Sequence, residues 1–111
     1  MEEKNHSGLD QNVAGALAYF FGALTGIFFL VTEKENKFVR FHAMQSIMVT
    51  VAVFAIQVVI GFIPFLNMIL VPLIGLATFA GWVFLMYKAF NNDEFMVPYI
   101  GEMAKKQIEK A

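Results

Sequence analysis

Apolar residues fall into three long blocks that short polar segments separate. The blocks cover residues 13–31, 41–63 and 66–87, and none of them contains Asp, Glu, Lys or Arg. Their lengths of 19, 23 and 22 residues each suffice to cross about 30 Å of hydrocarbon at about 1.5 Å per residue. The pattern therefore predicts an all-α integral membrane protein with three transmembrane helices.

The second and third helices are expected to form a tight hairpin, because Pro64 and Asn67 interrupt the apolar sequence where the two blocks meet. Pro72 lies within the third block. It either begins the regular helix or kinks it by freeing the carbonyl of Met68. The kink is the preferred interpretation, since a helix starting at Pro72 leaves few residues before Tyr87.

The carboxyl end is predicted to carry a short amphipathic helix after Pro98. One side of this helix is mainly apolar: Ile100, Met103, Ala104, Gln107 and Ile108. It is expected to rest on the membrane surface, and docking on the cytoplasmic helix ends is the alternative. The predicted organisation is an outside tail at 1–12, a three-helix transmembrane domain at 13–88 and a cytoplasmic amphipathic tail at 89–111.

The distribution of basic residues predicts the orientation in the membrane. With three spans, one side carries only Lys4. The other side carries seven cations: Lys34, Lys37, Arg40, Lys88, Lys105, Lys106 and Lys110. Cytoplasmic segments are enriched in Lys and Arg. The chain is thus expected to be a multi-pass protein of the cell membrane, with its amino end outside and its carboxyl end in the cytoplasm.

Small residues recur along the first predicted helix. Ala14, Ala18, Gly22 and Gly26 are each four residues apart, and Gly15 and Thr25 lie close to the same face. Such spacing lets two helix backbones approach closely. This small-residue ladder is expected to pack against other helices of the same chain. A dimer or partner face is the alternative.

Polar side chains of the second helix group on one face of a helical wheel: His42, Gln45, Ser46, Thr50 and Gln57. This polar stripe either bonds to neighbouring helices, or lines a hydrated path or holds an extended polypeptide. For Thr50 and Gln57 the structural role is favoured. For Arg40, His42, Gln45 and Ser46, contact with a partner or a lipid is weighed equally, and Arg40 also suits a lipid phosphate.

Composition limits the chemistry that this chain can perform. There is no Cys, and His6 and His42 are expected on opposite sides of the membrane, so no metal site or cofactor is expected. Ser7 and Ser46 are separated in the same way, so no catalytic triad can form, and an enzyme is not expected. The net charge of −1 provides no field for nucleic acid.

Several short motifs together resemble a known family. They are Gly15-Ala-Leu-Ala-Tyr19, Phe38-Val-Arg-Phe-His-Ala-Met-Gln-Ser46, Lys88-Ala-Phe90 and Val97-Pro-Tyr-Ile-Gly101. With them the chain resembles a widespread family of small prokaryotic multi-span membrane proteins of unknown function. That family is distantly grouped with the twenty-kilodalton membrane subunit of the chloroplast inner-envelope protein-import translocon. The resemblance implies a helical membrane fold and a role around polypeptide translocation, without catalytic residues.

The sequence thus favours a non-enzymatic accessory or assembly protein of the membrane. Its expected partners are the lipid bilayer and further copies of itself or other membrane proteins. The alternative is an oligomeric channel- or translocon-like component whose polar stripe faces a hydrated route. Three short helices can hardly enclose a pore, so this alternative requires an oligomer.

Overall fold

The computed structural model describes residues 8–110, and in this range the chain is helical with no strand. The helices are α1 (Gln11–Phe20), α2 (Ala23–Thr32), α3 (Lys37–Gly61), α4 (Asn67–Phe90) and α5 (Ile100–Lys110). The predicted all-α class is confirmed. The start of the predicted outside tail, residues 1–7, lies outside the described residues.

Two of these helices, α3 and α4, are long and apolar enough to cross a membrane. Asn36 begins α3 because its side-chain oxygen accepts a hydrogen bond from the Val39 main-chain N–H at 3.2 Å. The join between the helices covers only residues 62–66, as expected of a tight hairpin. Helix α4 continues through Pro72, so the interpretation in which Pro72 begins the helix is wrong.

The predicted third span is wrong, because the first apolar block is not one helix. It divides into α1 and α2, each of 10 residues, and each therefore only about 15 Å long. The break falls at Phe21 and Gly22, where Gly22 has a φ of 60°. This left-handed region suits glycine because a side chain would clash with the main chain there. Two helices of the described chain, rather than three, can span a membrane.

The two short helices lie side by side against the first half of α3. A Cβ atom at Gly15 would approach Phe38, and the Gly22 carbonyl lies against Ser46, so α1 runs parallel to α3. Helix α2 returns in the opposite direction, with Gly26 near Ala43 and its carboxyl end near the start of α3. We call α1 and α2 the re-entrant pair, since the chain enters and leaves at the same end of the molecule.

The re-entrant pair changes the expected orientation of the amino end. The Gln11 Nε2 donates a hydrogen bond to the Asn92 Oδ1 at 3.0 Å, and the Asn12 Nδ2 donates to the Phe90 carbonyl at 2.9 Å. The start of α1 therefore lies at the same end as the carboxyl end of α4. The sequence prediction placed the two ends on opposite sides of the membrane because it counted the first block as a full crossing, whereas the structure places the start of α1 beside the end of α4.

Members of the small-residue ladder lie against α3 of the same chain. A Cβ atom would lie 2.9 Å from the Phe38 ring at Gly15, 2.8 Å from the Thr50 Oγ1 at Gly22, and 2.8 Å from the Ala43 carbonyl oxygen at Gly26. Ala18 is fully buried. These close approaches leave no room for larger side chains at Gly15, Gly22 and Gly26.

The described fold predicts that Asp10 and Glu102 face the same side of the membrane and that Phe62 faces the other. Since the chain has no native cysteine, Asp10→Cys, Glu102→Cys and Phe62→Cys each introduce a single thiol. A membrane-impermeant maleimide added to sealed, oriented vesicles should label the first two from one face and the third from the opposite face. Labelling of Asp10→Cys and Glu102→Cys from opposite faces would contradict the re-entrant pair.

Substitutions in the small-residue ladder should show whether α2 needs a small residue for close packing on α3 or only an apolar one. Gly26→Leu should lower the midpoint of thermal unfolding in detergent and broaden the size-exclusion peak, because the side chain meets the main chain of α3. Ala23→Leu, at a half-buried position three residues away, is the control and should be tolerated better. Equal effects of the two substitutions would count against close packing at Gly26.

Candidate functional site

Side chains from neighbouring helices bond main-chain carbonyls at the break. A helix that ends in hydrocarbon leaves carbonyl groups without partners, which is costly where no water is present. Three side chains from three helices donate to carbonyls at the break: Thr25 Oγ1 to Ala18 O at 2.9 Å, Ser46 Oγ to Gly22 O at 2.9 Å, and Trp82 Nε1 to Tyr19 O at 2.7 Å. The Tyr19 and Gly22 carbonyls also accept main-chain hydrogen bonds, from the N–H groups of Gly22 and Gly26. The break is therefore an integral part of the packing between α1, α3 and α4.

A buried polar network adjoins the break. The Tyr19 hydroxyl lies 2.6 Å from the His42 Nδ1 and accepts a hydrogen bond from the Gln45 Nε2 at 2.7 Å. Tyr19 is 3% exposed, and His42 and Gln45 are fully buried. If the Tyr19 hydroxyl donates to Nδ1, His42 is neutral and carries its hydrogen on Nε2. Within residues 8–110 this Nε2 is buried without a hydrogen-bond partner.

Gln45 also binds the segment that connects α4 to α5. We call residues 93–99 the strap. The Gln45 Nε2 donates to the Phe95 carbonyl at 3.0 Å, and the Gln45 Oε1 accepts from the Val97 main-chain N–H at 2.8 Å. One amide group thus pairs with both main-chain groups of an extended segment. The strap in turn places Gly101 and Ala104 of α5 in buried positions, so α5 docks on α3 and does not merely rest on lipid.

Arg40 lies apart from this network. Its Nη1 donates to the Leu30 carbonyl at 2.9 Å and to the Glu33 carbonyl at 3.1 Å. A cation at the carboxyl end of a helix bonds its free carbonyls and opposes the negative end of the helix dipole. The structure therefore divides the four residues that the sequence grouped as one block, with Arg40 at the end of α2 and the other three at the helix break.

Thr50 and Gln57 continue the polar stripe into an apolar cleft between α3 and α4. The cleft has a volume of about 820 Å³ and is also lined by Gly75, Thr78 and Gly81. The Thr50 hydroxyl donates to the Ser46 carbonyl of its own helix at 2.8 Å. The Gln57 Nε2 donates to the Val71 carbonyl at 3.2 Å, while the Gln57 Oε1 is buried and accepts no hydrogen bond from the described chain.

Three residues of the site were not singled out from the sequence for these roles: Tyr19, Thr25 and Trp82. Each carries a sequence signal of another kind: Tyr19 ends the Gly-Ala-Leu-Ala-Tyr motif, Thr25 lies near the face of the small-residue ladder, and Trp82 suits an interfacial aromatic anchor. The described part of the chain brings together no group of three His, Asp or Glu side chains that could hold a metal ion. The arrangement therefore offers hydrogen bonding to main-chain groups as its clearest chemical capacity.

Replacement of Gln45 should loosen the strap. Gln45→Ala leaves the Phe95 carbonyl and the Val97 N–H without their partner, and each buried group left unpaired costs roughly 1–3 kcal/mol. We expect a lower unfolding midpoint in detergent and faster proteolytic cleavage between α4 and α5. Gln107→Ala, at an exposed position on α5, is the matched control. A strap equally resistant to protease in both variants would contradict the importance of these two bonds.

Comparison with known proteins covers nearly the whole chain. Residues 6–104 match the model of a family described as the magnetosome magnetite crystal formation protein family. A UPF0132 membrane protein of Archaeoglobus fulgidus is 43% identical over 100 residues, which is 90% of this chain and 97% of that protein. A UPF0132 membrane protein of Methanocaldococcus jannaschii is 44% identical over 103 residues, 93% of each chain.

A second UPF0132 membrane protein of Methanocaldococcus jannaschii is 34% identical over 99 residues, 89% of this chain and 71% of that protein. No solved structure matches the chain. Relatives named as membrane proteins and two apolar helices of spanning length agree on a bilayer environment. The expected membership of a small prokaryotic membrane protein family is confirmed, and the chain belongs to the magnetosome magnetite crystal formation protein family together with these archaeal membrane proteins.

Proposed function

We propose that the protein is a non-enzymatic assembly component of the membrane that associates with further copies of itself through the cleft between α3 and α4. The observation that carries this proposal is the apolar cleft, in which Gln57 lies half-buried and its Oε1 accepts no hydrogen bond from the described chain. Lipid tails have no hydrogen-bond donor, whereas another helix can supply one. Side-chain amides within membranes commonly bond across helix interfaces.

The shape of the cleft supports a helix as its occupant. Gly75, Thr78 and Gly81 of α4 line it, and a Cβ atom at Gly75 or Gly81 would meet nothing within 4 Å. Small residues allow a second backbone to approach closely. The two spanning helices also leave a large surface available for another helix. Only 17% of the most apolar part of α3 and 6% of that of α4 is buried within the molecule.

A second copy of the chain suits the chemistry of Gln57. Its Nε2 carries two hydrogens, and only the bond to the Val71 carbonyl engages them in the described chain. In a two-fold symmetric dimer each surface meets its own counterpart. Two Gln57 amides that meet across the axis can therefore donate to one another once each side chain turns to present its Oε1, and both oxygens then have a partner.

Leucine in the cleft should weaken self-association without disturbing the fold. Gly75→Leu and Gly81→Leu enter open space in the isolated molecule, so they should fill the place of the second helix and leave the unfolding midpoint unchanged or raised. Gly61→Leu, also at a glycine with open surroundings but at the end of α3, is the control. The measurement is copurification of two differently tagged copies in mild detergent, with the mass determined by light scattering.

A wild-type protein that is a lone monomer in native-like nanodiscs and mild detergent would contradict self-association. Unchanged copurification in both cleft variants would place the contact elsewhere on the molecule. The same monomeric result would also count against a channel, because neither the two spanning helices nor the cleft of one copy encloses a polar path.

A second candidate function is contact with an extended polypeptide in translocation. The observation that favours it is the Gln45 amide, which forms hydrogen bonds with main-chain groups of the strap. Such bonds do not depend on the side chains of the bound segment. A role around polypeptide translocation is also what the family resemblance in the sequence implies. The bonds are already occupied by the chain's own strap, however, so this candidate requires the strap to leave and ranks second.

We also propose that the end of the molecule where α1 begins and α4 ends faces the cytoplasm. Seven of the eight Lys and Arg residues belong to segments at this end, and the join between α3 and α4 has none. Basic segments favour the cytoplasmic side.

The family description names magnetite crystal formation. The assembly role proposed for this chain does not depend on that description.

A further inference from the structure

A basic pocket lies where α2 ends, α3 begins and the last turn of α5 comes close. Its volume is about 600 Å³. Lys34, Lys37 and Arg40 line it, with Glu35 and Glu109 as the opposing charges. Three cations against two carboxylates leave the pocket with a net positive charge. The pocket is separate from the polar network and from the cleft between α3 and α4.

The Arg40 side chain is fixed in a geometry that suits a phosphate group. Its Nη1 is held by the Leu30 and Glu33 carbonyls, so the guanidinium plane has a defined orientation. Within the described residues, the Nη2 and Nε edge of Arg40 donates no hydrogen bond. This edge is the one that makes paired hydrogen bonds with planar or tetrahedral oxyanions. Fixing one edge in advance lowers the entropy that binding at the other edge would cost.

The surroundings of the pocket indicate that its ligand carries apolar chains. Leu30 and Ile108 contribute apolar atoms to the pocket wall. The adjoining face of α2 is apolar and uncovered, with Leu24 75%, Ile27 50% and Val31 63% exposed. These three residues follow a spacing of three and four along the helix, so they form one continuous strip that leads from the pocket toward hydrocarbon.

We propose that the basic pocket binds the phosphodiester headgroup of an anionic membrane lipid, with the acyl chains along the exposed face of α2. A phosphodiester oxygen pair would meet the free edge of Arg40, and Lys34 and Lys37 would neutralise the remaining charge. Basic pockets between helices at the cytoplasmic surface recognise such headgroups. Phosphate chemistry is shared with soluble phosphate esters, and the apolar strip is what assigns the site to a lipid.

The test compares lipids in a titration of the purified full-length protein. Native mass spectrometry from mild detergent measures retention of phosphatidylglycerol, phosphatidylcholine and, as the soluble phosphate ester, glycerol 3-phosphate. We expect phosphatidylglycerol to bind in preference to the other two. The double variant Lys34→Gln/Lys37→Gln should weaken its binding by about fivefold for each charge removed. Both lysines are exposed, so the fold should be retained.

The matched control is Lys105→Gln/Lys106→Gln, which removes the same charge from exposed positions on α5 outside the pocket. It should bind phosphatidylglycerol as the wild type does. Equal weakening in the two double variants would overturn the site, because it would show general attraction to cations. Equal retention of the two lipids, or displacement of the lipid by glycerol 3-phosphate at the same concentration, would overturn the assignment to an anionic lipid.

Discussion

Every peptide group placed in hydrocarbon needs a hydrogen-bond partner, and the break between α1 and α2 is where this requirement is hardest to meet. Besides the main-chain bonds across the break, the chain meets it with Thr25, Ser46 and Trp82, which come from three helices and donate to the carbonyls there. Because the donors must lie within hydrogen-bond distance, the break fixes how α1, α3 and α4 sit against one another. The positions of Tyr19, His42 and Gln45, and through Gln45 the course of the strap, follow from that arrangement.

The spanning helices were predictable because their signal is local. An uncharged block of sufficient length and the turn residues Pro64 and Asn67 predict α3, α4 and their join from the sequence alone. The break at Gly22 was not predictable in this way. Hydropathy continues without interruption from residue 13 to residue 31, and Gly22 differs in no local respect from Gly15 or Gly26. What distinguishes it is the partner at its carbonyl, Ser46, which lies 24 positions away.

The polar network was predictable in part for the same reason. Helical spacing places His42, Gln45 and Ser46 on one face, and polar groups in a bilayer turn toward other protein groups. All three are buried here. The identity of their partners depends on tertiary structure, since Gln45 binds the main chain of residues 50 and 52 positions away. Every residue type offers main-chain groups, so the pattern of side chains does not show which ones Gln45 binds. The contact between Gln45 and the strap therefore could not be predicted from residue spacing.

The re-entrant pair gives the molecule an unequal outline across the bilayer. Four helices occupy the half that contains α1 and α2, whereas only α3 and α4 continue into the other half. Each copy therefore displaces more lipid area from one leaflet than from its opposite. A membrane that holds many copies in one orientation relieves this imbalance by bending, with the more crowded leaflet on the convex side. This unequal cross-section follows from the break at Gly22, where the chain reverses its direction.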